Sequence, residues 1–152
     1  VIVIVALFII LLVILHHNNE ANRRAKLLSE IDLLTECNNR NKYELDMARL
    51  ANHPGNYLGC LFVDVNGLRE RNNLNGHAQG DLMLRIVSEQ IRKVFGDRHT
   101  YRIGGDEFIV LLHTPPDDIT AQVQTLTNAV EKQGYSVAVG FAEQNTTSIK
   151  KD

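Results

Sequence analysis

Three carboxylates in two short segments are the first residues of this chain that invite chemistry. Asp64 ends an apolar run, Tyr57-Leu58-Gly59-Cys60-Leu61-Phe62-Val63, whereas Asp106 and Glu107 directly follow Gly104 and Gly105. Each has an ordinary reading: a strand-end or helix cap for Asp64, and solvated turn polarity for Asp106 and Glu107. If the two segments are neighbours in one sheet, the three carboxylates converge at one edge. Such a cluster repels itself unless a divalent cation neutralises it. Hard oxygen ligands favour Mg²⁺, which keeps several waters and borrows phosphate oxygens from a nucleotide. Gly104 and Gly105, lacking side chains, leave room for a phosphate or a base to approach the backbone.

The stretch after Asp64 adds to this. From Asn66 to Asp81 it is dense in amide, carboxylate and imidazole groups, among them Asn72, His77 and Asp81. An Asp carboxylate can accept from N1–H and N2–H₂ of guanine, and an Asn amide can donate to O6 or accept. The same residues also fit an ordinary loop before a helix whose N-terminus favours Asp81. Spacing alone leaves both readings open.

These groups need elements to hold them. The pattern predicts a helix over 41–52, a turn at 53–56, and a buried strand over 57–63 that stops at Asp64. A helix over 80–95 carries Leu84, Val87, Ile91 and Val94 along one face. The runs 101–103 and 108–112 flank Gly104-Gly105 and predict a β-hairpin, because Gly accepts the positive φ that tight hairpin turns need. A helix bearing Ile119, Val123, Leu126 and Val130 leads to a last strand over 135–142. Helix, strand, helix, hairpin, helix, strand is the order of an α/β domain with one mixed sheet and helices packed on it.

Composition narrows the class. The 152 residues fit one compact domain with a short appendage. With 16 Lys+Arg against 18 Asp+Glu, the formal charge of -2 excludes a bulk electrostatic binder of nucleic acid. The apolar share, 44%, is too high for a disordered chain. Cys37 and Cys60 make neither a disulfide framework nor a zinc site. Free thiols agree with a reducing compartment.

The chain opens on VIVIVALFIILLVIL, a run without charge, Gly or Pro. As a helix these residues span only ~22 Å, whereas about 20 residues are needed to cross the hydrocarbon. Because the chain begins at Val1 rather than Met, 1–16 is expected to be the C-terminal part of a transmembrane helix. A helical stalk over 17–31 follows, with Leu27, Leu28 and Ile31 at helical spacing, then a domain over 32–152. A signal-peptide core is disfavoured, since no small-residue cleavage site follows and the basic residues come after the run. Arg23, Arg24 and Lys26 mark that side as cytoplasmic, which places the expected anchor in the inner membrane.

At the hairpin, Arg102-Ile103-Gly104-Gly105-Asp106-Glu107-Phe108 resembles the signature of the GGDEF family of diguanylate cyclases. Asp32-Leu33-Leu34-Thr35 followed by Asn39-Arg40 resembles the family's entry motif. Phe62-Val63-Asp64-Val65-Asn66 with Asn72, Gly76-His77 and Gly80-Asp81 is similar to its metal and nucleotide stretch. Val137-Ala138-Val139-Gly140 is similar to its late strand, so the resemblance covers roughly 32–142.

The resemblance implies a nucleotidyl-cyclase, palm-like fold. It also implies the condensation of two GTP into cyclic di-GMP, with release of two pyrophosphates, between two domains meeting face to face. Asp64, the Val65 carbonyl, Asp106 and Glu107 would hold Mg²⁺, two ions per site, with Mn²⁺ as a substitute. Asp106 would also accept the proton of the attacking 3′-hydroxyl, and Glu107 would complete the metal and phosphate site. Asn72 and Asp81 would read guanine, His77 would lie close to the substrate, and Arg69, where the family usually has Lys, would serve the phosphates. Gly104 and Gly105 would line the nucleotide.

Three departures stand out. The family's inhibitory Arg-x-x-Asp is replaced at its end positions by Phe95 and Arg98, so no high-affinity product site is expected there. Arg71 replaces a usually apolar residue, and Asn73 a usual Asp. The family's last helix, with its triphosphate contacts, is not found before Asp152. The alternative function is a catalytically weak GGDEF domain acting as a GTP-binding regulatory or dimerisation module.

Overall fold

The computed structural model describes residues 2–51 and 57–144. Its centre is a five-stranded sheet of order β1-β3-β4-β2-β5. The strands are β1 (Asn38–Asn39), β2 (Leu58–Val65), β3 (Thr100–Arg102), β4 (Glu107–Leu112) and β5 (Val137–Gln144). The β2 strand runs antiparallel to β4 on one side and to β5 on the other, while β1 joins β3 in parallel. The expected mixed sheet is therefore present. The two-residue β1 is too short to leave a periodic signal in the sequence.

Alternation along β2 assigns the two faces. Leu61, Val63 and Val65 are fully buried with Phe108 and Val110 of β4. Against them pack α4 (His77–Phe95), through Met83, Leu84, Val87 and Ile91, and α5 (Ile119–Glu131), through Leu126 and Val130. The opposite face carries Cys60, Ile109, Leu111 and Tyr101, covered by Tyr43, Met47 and Leu50 of α2 (Arg40–Ala51). Tyr43 meets Tyr101 edge-on, with ring centroids 5.7 Å apart. The Tyr101 hydroxyl donates to the Asp46 carboxylate at 2.8 Å, which anchors α2 to the sheet. Burying these apolar surfaces supplies most of the driving force for the fold.

Several expectations are corrected. The 66–79 stretch is not a loop: α3 (Leu68–Asn75) occupies its middle, and α4 starts at His77 rather than at 80. The α3 segment, LRERNNLN, buries no residue and so lacks the apolar period that marks a helix. Asp64 does not end its strand; β2 continues to Val65, because the α2 cover stops at Cys60 and the open face beyond it, with Phe62 exposed, tolerates a polar residue. Neither Gly104 nor Gly105 has a positive φ, so the hairpin does not use them in the way the turn chemistry predicts.

The N-terminal reading also changes. A single helix, α1 (Ile2–Glu30), runs through both the expected membrane segment and the expected stalk. Phe8 to Leu15 are 50–62% exposed, and among the described residues no helix is long and apolar enough to cross a membrane. The expected anchor is therefore unsupported. The side chains of Arg23, Arg24, Lys26, Leu27 and Leu28, the turn at 53–56 and the chain beyond Gln144 lie outside the described residues.

Candidate active site

The sheet brings the two carboxylate segments together. In the β2–β4 ladder, Asp64 is paired with Glu107, and directly opposed residues of an antiparallel pair share a face. That face is the one opposite Val63 and Val65, so both carboxylates point away from the α4–α5 core. On its other side Asp64 is paired with Ala138 of β5, whose small exposed side chain leaves the carboxylate open. The next backbone link ties in Asp106: the Val65 N–H donates to the Asp106 carbonyl at 3.0 Å.

The hairpin loop is closed by the Ile103 N–H donating to the Glu107 carbonyl at 3.0 Å. Gly104 matters here for space. A Cβ on Gly104 would collide with the Glu107 carboxylate, which folds back over the bare Cα. Arg102 braces the loop from outside, donating from Nη2 to the Gly105 carbonyl at 2.7 Å. Its Nη1 donates to both Asp32 carboxylate oxygens, at 3.1 and 3.3 Å. Asp32 in turn accepts from the Thr35 amide and hydroxyl at 2.9 and 2.7 Å. Burial raises the Asp32 carboxyl pKa, but the Thr35 bonds and the Arg102 guanidinium outweigh it and hold it below the ordinary value. A polar chain thus runs from just beyond α1 to the hairpin tip.

The donor types suit a hard cation: Asp64, Asp106 and Glu107 offer carboxylates, and Val65 a carbonyl at the strand end. Among the described residues, however, no group of three or more His, Cys, Asp or Glu side chains is gathered closely enough to hold a metal ion. The sheet brings the backbones of the two segments side by side, with Asp64 opposite Glu107, without a closed ligand set among the described residues.

The amide-rich stretch forms a second wall. Gly76, with φ 82°, ends α3 and starts α4, and its N–H donates to the Asn72 carbonyl at 2.9 Å. Folding back at Gly76 lays Asn72 against Gly80, where a Cβ would overlap the Asn72 amide. The Asn72 Oδ1 atom is buried there and has no hydrogen-bond partner. A buried, orphaned acceptor is costly unless something binds it. Asp81 follows Gly80, and His77 lies one turn earlier on the same side of α4. His77, Asp81 and Arg69 are exposed. Sequence reasoning misses Tyr135, over whose ring the Arg71 guanidinium lies, 4.9 Å from the centroid. Phe95, at the first position of the expected inhibitory motif, is buried in the core, whereas Arg98 is exposed.

The chain is similar to known proteins. The diguanylate cyclase DosC of Escherichia coli K12 is 33% identical over 116 residues, covering 72% of this chain and 25% of DosC. The cyclic di-GMP phosphodiesterase PdeR of the same organism is 34% identical over 93 residues, covering 60% of this chain and 14% of PdeR. The chain spans well under half the length of these curated relatives. The coiled coil and GGDEF domain of DgcB from Caulobacter crescentus, solved with c-di-GMP, superposes with a TM-score of 0.74. At 22% identity, covering 88% of this chain and 79% of that one, this likeness speaks for the fold. The model of the diguanylate cyclase GGDEF domain matches residues 29–149, and the chain belongs to the GGDEF family.

Proposed function

We propose that this chain is the catalytic domain of a diguanylate cyclase, joining two GTP molecules into cyclic di-GMP with release of two pyrophosphates. The observation that carries this is the opposition of Asp64 and Glu107 across β2–β4, with Asp106 bound to the next residue, inside a complete Gly-Gly-Asp-Glu-Phe signature. The Asn72 amide donates to guanine O6 or accepts from the base edge, and Asp81 accepts from N1–H and N2–H₂. Arg69 would serve the phosphates, and His77 would lie close to the substrate. Gly104 and Gly105 let the triphosphate approach the hairpin backbone.

Asp64, Val65, Asp106 and Glu107 would hold Mg²⁺, which neutralises phosphate charge and acidifies the 3′-hydroxyl when bound. Asp106 accepts the proton of that hydroxyl as it attacks the α-phosphate, and pyrophosphate leaves in line. Each domain holds one GTP, so two copies must meet face to face across a two-fold axis, exchanging the same surface.

A GTP-binding regulatory module is the second reading. It draws on one observation, that the matched relatives include a phosphodiesterase as well as a cyclase. Incubation with GTP and Mg²⁺ separates the two. The cyclase forms cyclic di-GMP and pyrophosphate together, and both vanish in Asp106→Ala. GTP bound tightly without product would favour the regulator.

A further inference from the structure

We propose that Arg71 is a positioning residue: with its guanidinium on the Tyr135 ring it locks α3 so that the next residue, Asn72, keeps its side-chain amide seated on Gly80 at the guanine site. The inference rests on the reading of Asn72 as a base-reading group and deepens it.

The α3 helix packs along α4 but sends almost nothing into the core. It has eight residues and none is buried. Only Leu68, at its start, touches the main core. Its far end turns at Gly76, whose positive φ gives no side-chain anchorage. Between those ends, Arg71 reaches out of the helix and lays its guanidinium on Tyr135, at 4.9 Å. A flat, weakly hydrated cation on an aromatic face is a favourable contact that orders a long side chain.

Tyr135 is itself fixed. Its N–H donates to the Val130 carbonyl at the end of α5, at 3.3 Å, and its ring packs against the core. The following residue is fastened to the end of β2: the Asn66 N–H donates to the Ser136 carbonyl at 3.0 Å, and the Asn66 side-chain amide donates to the Ser136 hydroxyl at 3.2 Å. Arg71 therefore joins α3 to a rigid corner where β2, α5 and β5 meet.

The adjacent residue is the one that needs such fixing. Asn72 fits over Gly80 with no spare room, and its acceptor is aimed into a buried, unpartnered position. A small rotation of α3 about its axis would carry the Asn72 amide off Gly80. Arg71, on a neighbouring face of the helix, resists that rotation without touching the nucleotide.

The test measures hydrogen exchange of the α3 amides in nucleotide-free protein, and then titrates GTP and ITP. ITP lacks the 2-amino group and reports base reading. Arg71→Ala and Tyr135→Ala should each speed α3 exchange and weaken GTP about tenfold while narrowing the GTP-to-ITP ratio. Arg71→Lys and Tyr135→Phe, which keep a cation and a ring, should restore most of both, as a merely structural loss would not. Unchanged α3 exchange in Arg71→Ala overturns the clamp, whatever the nucleotide does. Faster exchange with unchanged GTP affinity overturns the link to Asn72. Wild-type protein that binds no GTP, with α3 still loosened in Arg71→Ala, overturns the base-reading role and leaves the clamp standing.

Discussion

Asn72 rests on the bare Cα of Gly80, and its amide fills the space that any side chain there would take. This contact joins the end of α3 to the first turn of α4 and leaves one buried acceptor unsatisfied.

Gly80→Ala should therefore separate stability from binding. Alanine within α4 favours the helix by up to about 1 kcal/mol. The atoms it meets are the tip of a flexible side chain, so the fold yields by swinging Asn72 aside. We expect an equal or slightly higher melting temperature and a GTP affinity at least about tenfold weaker, the equivalent of ~1.4 kcal/mol. Calorimetric melting and nucleotide titration check it together; a stable variant with full GTP affinity would contradict the assigned role of Asn72.

Gly104→Ala tests the hairpin in the same way. The new methyl meets the Glu107 carboxylate and no backbone, so the hairpin survives and Glu107 is pushed out. GTP turnover should fall by about 10- to 100-fold, ~1.4–2.7 kcal/mol of barrier, with little change in melting temperature. Product analysis beside a thermal melt reads both.

A third prediction concerns pH. His99, in the 3₁₀ turn Asp97–His99, lies with its ring centroid 5.3 Å from that of His113 at the end of β4. Burial, the His113 ring and Arg98 hold the His99 pKa below its ordinary value of 6.5. The unfolded chain then binds the proton more readily, so this contribution is complete above pH 6.5 and is lost as pH falls through the folded value. His99 is largely solvent-screened, so the effect is small. Between pH 7.5 and pH 5 the wild type should lose about 1–2 °C more in melting temperature than His99→Gln. Equal losses would remove His99 from the account.

Much of this was legible in the residues. The apolar run ending at Asp64 and the paired runs around Gly104-Gly105 predict β2 and the hairpin because strands covered on both faces read as continuous apolar runs. That Asp64 and Glu107 are neighbours follows once the two strands pair. The α3 helix is different: its eight residues bury nothing, so no apolar period exists to be read. Arg71 looks out of place until Tyr135, far along the chain, is seen beneath it. The work of Gly104 is likewise invisible locally. Its sequence context suggests backbone conformation, while the structure assigns it to making room for Glu107. The opening apolar run reads as part of a membrane span, and in the structure its described residues belong to one longer helix, α1.

The most direct test of the central claim is side-by-side turnover of GTP in Mg²⁺ by the wild type and Asp64→Ala, quantifying pyrophosphate and cyclic di-GMP in each. Joining two GTP predicts two pyrophosphates per cyclic di-GMP in the wild type, and the pairing of Asp64 with Glu107 predicts at least about a hundredfold loss of both, ~2.7 kcal/mol, in the variant. Equal turnover by the two proteins, or wild-type protein that binds GTP and releases no cyclic di-GMP, would contradict it.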